Sequence, residues 1–297
     1  MSGAVHLQTE KEPQNPERRG IKKGLYLIPS AFTAANISMG FYAVMAALRG
    51  FQLVDGGSAS DLQRAAEHFD NAAKAICWAV LFDMLDGRIA RMTKTTTEIG
   101  VQLDSIADVL TFGIAPAVLT YAWGYGSALA EGGWAHKLGW FLSFMYLMCG
   151  AFRLARFNVQ AARPRILAEG TAKVDKKNFI GLPIPMAAAL IAAIIHFAPK
   201  PLLQYEPRYA ALYSGLMMAL VGVLGALMVS TLRYSSFKTV GTSSRSTRLA
   251  VLFIAAIGML IYLFSDYALL VLVAVYVLHG FVLRLGNLFR RRGLQES

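Results

Sequence analysis

The sequence predicts an all-α protein, a polytopic transmembrane helical bundle of about eight spans with both termini cytoplasmic. Three observations carry this expectation. Of 297 residues, 56% are hydrophobic, and the mean hydropathy is +0.46, too apolar for an ordinary soluble domain. Apolar runs of the roughly 20 residues needed to cross a bilayer recur along the chain. The basic residues are one-sided: with the N-terminus inside, 23 of the 29 Lys and Arg residues fall in segments on the same face of the membrane. That is the positive-inside pattern.

The expected spans lie near 25–48, 72–92, 101–123, 137–157, 179–198, 208–230, 249–264 and 267–286. Residues 1–20 are polar, contain proline and lack the apolar core of a signal peptide, so they read as a disordered cytosolic tail. Residues 21–290 form the membrane domain, and 291–297 a basic cytosolic tail. Pro29 is expected in the first turn of the first span, where its missing N–H costs least. Thr33 and Asn36 are three apart and share one helical face. They either bond to a neighbouring helix or face a polar site.

Residues 50–71 are expected as an external connection with room for a short interfacial helix. The Gly-rich "GYGSALAEGGW" at 124–134 is a second external turn. The fourth span ends in "FRLARFN" at 152–158, and the fifth opens with "FIGLPIPMAA" at 179–188. Spans six to eight carry almost no ionisable residues away from their ends and read as packing scaffold. His196, a lone histidine near an external end, reads as interfacial rather than as a ligand.

Other classes recede. Cys77 and Cys149 both lie in apolar runs, which argues against a disulfide framework and a cysteine zinc site. The net charge of +11 serves topology and contact with anionic lipid. No aromatic–basic interleaving accompanies it, so nucleic acid is not an expected partner. No repeat at a fixed period is visible, which disfavours transporters built from duplicated halves.

Four carboxylates stand out because charge in hydrocarbon is costly. Asp83 and Asp86 are spaced i,i+3; Asp104 and Asp108 are spaced i,i+4. Each pair therefore shares a helical face. Folding the hairpin about its turn near 94–97 sets Asp86 level with Asp104 and Asp83 level with Asp108, so all four can converge. Four ionised carboxylates would repel one another unless some are protonated or cations lie between them. Oxygen-only ligands favour Mg²⁺, Mn²⁺ or Ca²⁺. Two divalent ions would balance the charge, and paired ions recur in phosphoryl chemistry. A phosphate-bearing substrate at the cytosolic edge is the expectation. Gly87, Ala90 and Gly100 leave room beside the carboxylates, and Arg88 and Arg91 add positive charge.

The pattern D-x-x-D-G-x-x-A-R, eight residues, then G-x-x-x-D-x-x-x-D resembles the signature of the CDP-alcohol phosphotransferases. Every fixed position is present: Asp83, Asp86, Gly87, Ala90, Arg91, Gly100, Asp104 and Asp108. The resemblance implies transfer of a phosphatidyl-type group from a CDP-linked donor to an alcohol, with release of CMP. It implies Asp83, Asp86, Asp104 and Asp108 as ligands of Mg²⁺ or Mn²⁺, two ions in all, and Asp108 also as general base. It implies Gly87, Arg91 and Thr97 as contacts to the CDP part of the donor, whose cytidine is expected in the space left by Gly87, Ala90 and Gly100. Thr33 and Asn36 sit where family members have a first-helix nucleotide contact. "FRLARFN" and "FIGLPIPMAA" are similar to stretches of the integral-membrane phosphatidylserine synthases within that family. CDP-diacylglycerol and L-serine are then the expected substrates, a homodimer the expected assembly and the cytoplasmic (inner) membrane the expected location. Arg153 and Arg156 share a face at the end of the fourth span and suit an anion, either the donor's phosphate or the serine carboxylate. Choline, inositol phosphate or glycerol 3-phosphate are alternative acceptors. A cation transporter is a remote alternative that leaves the Ala–Arg spacing unexplained.

Overall fold

In the computed structural model, the described residues are 16–93, 98–162, 178–230, 233–235 and 267–278. Helix α1 spans Pro16–Asp55, α2 Ala59–Thr93 and α3 Glu98–Asp108. The helical path continues through a π-turn at Val109–Ile114, α4 (Ala115–Thr120), a second π-turn at Tyr121–Tyr125 and α5 (Gly126–Ala128). Then come α6 (Trp134–Ala162), α7 (Ile184–Phe197) and α8 (Pro207–Val229). A last apolar helix, α9, covers Tyr267–Leu278. The expected span at 249–264 lies outside the described residues.

Among the described residues, five helical stretches are long and apolar enough to cross a membrane: Ala31–Asp55, Ile99–Ala128, Trp134–Val159, Ile184–Gln204 and Pro207–Val229. α2 is not among them, because its charged residues dilute its hydropathy. Its surface is nonetheless sided. Ala72, Ala73, Ile76, Ala79 and Val80 are buried, while Trp78, Leu81, Met84 and Leu85 are exposed. Exposed large apolar side chains also line α1 and α6, including Phe41, Met45, Trp140 and Phe144. Such a surface suits lipid rather than water.

Several boundaries differ from the sequence reading. α1 begins at Pro16, inside the segment read as a tail, so Pro29 lies within a helix rather than opening one. Residues 50–71 are mostly helical, and the connection shrinks to Gly56, Gly57 and Ser58. Gly57 takes the left-handed conformation, φ +68°. Ser58 Oγ accepts from the Asp61 backbone N–H at 3.1 Å and donates to the Asp61 carboxylate at 2.6 Å. This is a helix N-cap, so "GGSASD" reads as punctuation between two long helices. His196 is buried in the fold, where its Nδ1 is hydrogen-bonded to Asp70 of α2. Asp70 also pairs with Lys74 at 2.6 Å.

Small residues let the helices approach. Ala43, Ala46 and Ala47 of α1 pack with Ala65, Phe69, Ala72, Ala73 and Ile76 of α2, and the Ala187–Ala189 run of α7 joins the same core. A Cβ on Gly40 would lie 2.3 Å from Thr111 Oγ1, so α1 runs directly against the first π-turn. Thr111 Oγ1 donates to the Asn36 carbonyl at 3.1 Å. Pro116 has no N–H to offer the carbonyl four residues back. That carbonyl, on Phe112, accepts instead from Tyr146 Oη of α6 at 3.1 Å.

The one departure from an all-helical chain among the described residues is a short antiparallel ladder. β1 (Asn178–Ile180) pairs with β2 (Arg233–Ser235), with Phe179 opposite Tyr234. It ties the start of α7 to the end of α8, and Leu182 N–H adds a bond to Leu227 O at 3.1 Å. Gly181 makes the crossing possible. Its φ is +82°, and a Cβ there would lie 2.4 Å from Met228 O. "FIGLP" is therefore a backbone requirement, Gly for the left-handed turn and Pro183 to start α7. Gly181→Ala should lower stability by about 1–3 kcal/mol, read as a drop in the thermal midpoint in detergent. Gly57→Ala, with φ +68° but nothing within 4 Å, should cost distinctly less; an equal loss would contradict the close-approach argument.

Candidate active site

The acidic residues come from the C-terminal part of α2 and from α3. Asp104 and Asp108 are one turn apart and point the same way. One carboxylate oxygen from each of Asp83, Asp104 and Asp108 lies within 4.8 Å of the others. Asp86 stands outside that trio. A three-residue step rotates it about 60° around the helix from Asp83, toward α1, where it accepts a hydrogen bond from Thr33 Oγ1. It stays within electrostatic range of Asp104 and Asp108. Asp86 and Asp108 are buried, and Asp83 and Asp104 half-buried.

α1 and α6 supply the surrounding polar groups. Asn36, one helical turn beyond Thr33, is 1% exposed, and neither its amide nitrogen nor its oxygen has a hydrogen-bond partner. On α6, Arg153 is half-buried with its Nε unpartnered, within electrostatic range of Asp108. Arg156 shares its face, and its Nη1 donates to Val229 O at the end of α8 at 3.4 Å. Asn158, the last residue of "FRLARFN", donates to Ser105 Oγ at 2.8 Å, tying α6 to α3 beside Asp104. The sequence reading gave Asn158 no role, and its place in the motif was the only signal.

Of the remaining candidates, Gly87, Ala90 and Arg91 continue α2 past Asp86; their side chains are outside the described set. Gly100 lies exposed one turn before Asp104. Thr97 lies outside the described residues.

The donor set fits hard divalent cations. It is composed of carboxylates, without sulfur or imidazole, which matches Mg²⁺ or Mn²⁺ chemistry. Asp108 Oδ1 is buried without a hydrogen-bond partner, an arrangement that is costly for an anion unless a cation satisfies it. Thr33 engages one oxygen of Asp86 and leaves the other available. Divalent ions should therefore raise the thermal midpoint; at a hundred times Kd the gain is about 2.7 kcal/mol. Asp108→Asn should stabilise the metal-free protein, because it removes one of the repelling charges, and should shrink the metal-induced shift. A variant whose shift matches wild type would exclude Asp108 from the ligand set.

Comparison with known proteins agrees with this chemistry. Residues 26–221 match the CDP-alcohol phosphatidyltransferase family. A Helicobacter pylori protein named CDP-diacylglycerol–serine O-phosphatidyltransferase is 32% identical over 266 residues, covering 87% of this chain and 91% of that protein. Proteins of the same name from Saccharomyces cerevisiae and Methanocaldococcus jannaschii are 36% and 31% identical over 171 and 168 residues, covering 58% and 56% of this chain and 54% and 65% of theirs. The family match takes in both aspartate pairs, the α1 polar face and the α6 arginines, and the chain belongs to the CDP-alcohol phosphatidyltransferase family.

Proposed function

We propose that this protein transfers the phosphatidyl group of CDP-diacylglycerol to L-serine, giving phosphatidylserine and CMP. The observation that carries this reading is the nearly end-to-end similarity to the Helicobacter pylori protein of that activity, in a chain whose Asp83, Asp104 and Asp108 converge.

Asp83, Asp86, Asp104 and Asp108 hold the divalent cations, Mg²⁺ or Mn²⁺ and two in number. When bound, these neutralise the diphosphate and the charge that builds on the departing CMP. Thr33 and Asn36 on α1, with Gly87, Ala90, Arg91, Thr97 and Gly100, bind the cytidine diphosphate part of the donor. Asn36, with both amide atoms unpartnered, offers a donor and an acceptor of the kind a cytosine edge needs. Asp108 takes the proton of the serine hydroxyl. A serine hydroxyl is a poor nucleophile at neutral pH, and a positioned carboxylate answers that need. The freed oxygen attacks the phosphorus that bears the lipid, the bond to CMP breaks, and CMP leaves with the electron pair. The displacement is direct and needs no covalent enzyme intermediate. Arg153, within electrostatic range of Asp108, receives the serine carboxylate. Arg156 steadies this wall through its bond to the end of α8 and adds positive charge toward phosphate.

The positive-inside bias supports a cytoplasmic-membrane protein of about eight spans, with both termini and the active site on the cytosolic side. It also supports the assignment of 1–20 and 291–297 as cytosolic tails around the membrane domain. Exposed apolar faces on the helices leave surface for a homodimer.

Purified protein with CDP-diacylglycerol should release CMP with L-serine, and a chelator should stop it. Release with choline, inositol phosphate or glycerol 3-phosphate in place of serine would replace the acceptor; no release with any alcohol would overturn the reading. Asp108→Asn should cut turnover by about 100-fold or more while CDP-diacylglycerol still binds. Equal loss of binding and turnover would refute the base assignment. Arg153→Lys should raise the KM for serine, whereas Arg156→Lys should lower the thermal midpoint more than it changes that KM.

A further inference from the structure

The first turns of α3 bury little. From Ile99 to Ile106 no residue is fully buried, and Ile99, Val101, Leu103 and Ile106 are exposed. Exposed apolar side chains against lipid fix neither the rotation nor the height of a helix, since hydrocarbon fits every orientation equally well. Yet this stretch carries Asp104, and burial begins only at Ala107 and Asp108. Rotation matters here. A helix with its side chains has a radius of about 5–6 Å, so a turn of about 30° swings a carboxylate by roughly 3 Å. One oxygen each from Asp83, Asp104 and Asp108 lies within 4.8 Å of the others, and a swing of that size would break up the trio.

A directional contact reaches this stretch from α6. Asn158 Nδ2 donates to Ser105 Oγ at 2.8 Å, and Ser105 Oγ donates in turn to Val101 O of its own helix at 2.9 Å. The hydroxyl proton is thus committed inside α3, and an oxygen lone pair faces the amide. Ser105 follows Asp104 directly and lies about 60° around the helix from Asp108. α6 is itself a fixed post: Tyr146 Oη donates to Phe112 O at 3.1 Å, and a Cβ on Gly150 would lie 2.4 Å from Ile184 Cδ1.

We propose that Asn158 is a positioning residue for the metal ligands: through Ser105 it sets the rotation of α3 that aims Asp104 and Asp108 at Asp83. This rests on the reading of those carboxylates as cation ligands. Like charges this close favour any motion that spreads them, and α3 has no buried apolar side chain before Ala107 to resist it. The bond from Asn158 supplies that resistance. A neutral amide does so without adding charge; a Lys or Arg beside Asp104 would pair with the carboxylate and compete with the cation. A divalent ion then meets ligands already gathered. Loss of the bond lowers the apparent affinity in proportion to the fraction of molecules whose trio stays assembled.

The test compares full-length wild type with Asn158→Ala, Ser105→Ala (a change that α-helices accept readily) and the double variant. Mn²⁺ affinity is read without substrate, from the electron paramagnetic resonance signal of free Mn²⁺. CMP release gives kcat and the KM for L-serine. Each single variant should weaken Mn²⁺ binding by about three- to tenfold, as the loss of one hydrogen bond does. The double variant should bind no more weakly than either single one, because both remove the same bond. At saturating Mn²⁺ the KM for L-serine should stay within about twofold of wild type. Additive losses in the double variant would overturn the proposal. So would an unchanged Mn²⁺ affinity in Asn158→Ala: a lowered thermal midpoint alone would make Asn158 a packing residue, and a raised KM for L-serine alone would make it a substrate contact. If wild type binds no Mn²⁺, the reading of the carboxylates fails and this proposal falls with it. If wild type binds Mn²⁺ but releases no CMP with L-serine, the acceptor reading alone fails, and the Mn²⁺ titrations still decide the role of Asn158.

Discussion

Three carboxylate oxygens, from Asp83, Asp104 and Asp108, share a space 4.8 Å across, and a fourth carboxylate, Asp86, lies within their field. Like charges that close, partly withdrawn from water, are unfavourable unless something compensates them. Much of the surrounding structure can be understood as that compensation. Thr33 donates to Asp86. Arg153 places a cation near Asp108. The carboxylate-only donor set supplies a seat for divalent ions, which would convert mutual repulsion into shared attraction.

Holding such a cluster demands a stiff frame, and α1 provides much of it. It packs along α2 through alanines and touches the first π-turn at Gly40 so closely that no Cβ fits. The π-turn starts one residue after Asp108. An inserted residue in a helix shifts the phase of everything that follows, so the face that carries Asp104 and Asp108 is decoupled from the face that buries Phe112 and Ala115. Pro116 leaves a carbonyl unsatisfied in this region, and Tyr146 of α6 satisfies it. The irregularity at the site is thus locked by contacts from both neighbouring helices.

Polar residues of α6 reach both α3 and the end of α8. Arg153 and Asn158 turn toward α3, the first near Asp108 and the second onto Ser105. Arg156 turns to the end of α8, where Gly181 and the short β1–β2 ladder fasten the start of α7. "FRLARFN" and "FIGLPIP" are distant in sequence but meet here: a Cβ on Gly181 would lie 3.4 Å from Arg156 Nη2.

The sequence by itself determined what depends on local spacing and composition. Apolar run length announced a membrane bundle, and i,i+3 and i,i+4 spacing put each aspartate pair on one face, because helical geometry is set within four residues. Helix limits are less legible: "GGSASD" has the composition of a loop, and its cap becomes evident only in the bonds between Ser58 and Asp61. Tertiary structure alone decided which groups meet across the fold. Thr33 and Asp86 are 53 residues apart, Thr111 and Asn36 75, and His196 and Asp70 126. No period or propensity encodes such pairings, since they follow from how whole helices pack and rotate against one another. For the same reason the sequence could set Arg153 and Arg156 on one face but could not show that Arg156 Nη1 reaches Val229 O at the end of α8, and it could read α9 only as apolar scaffold.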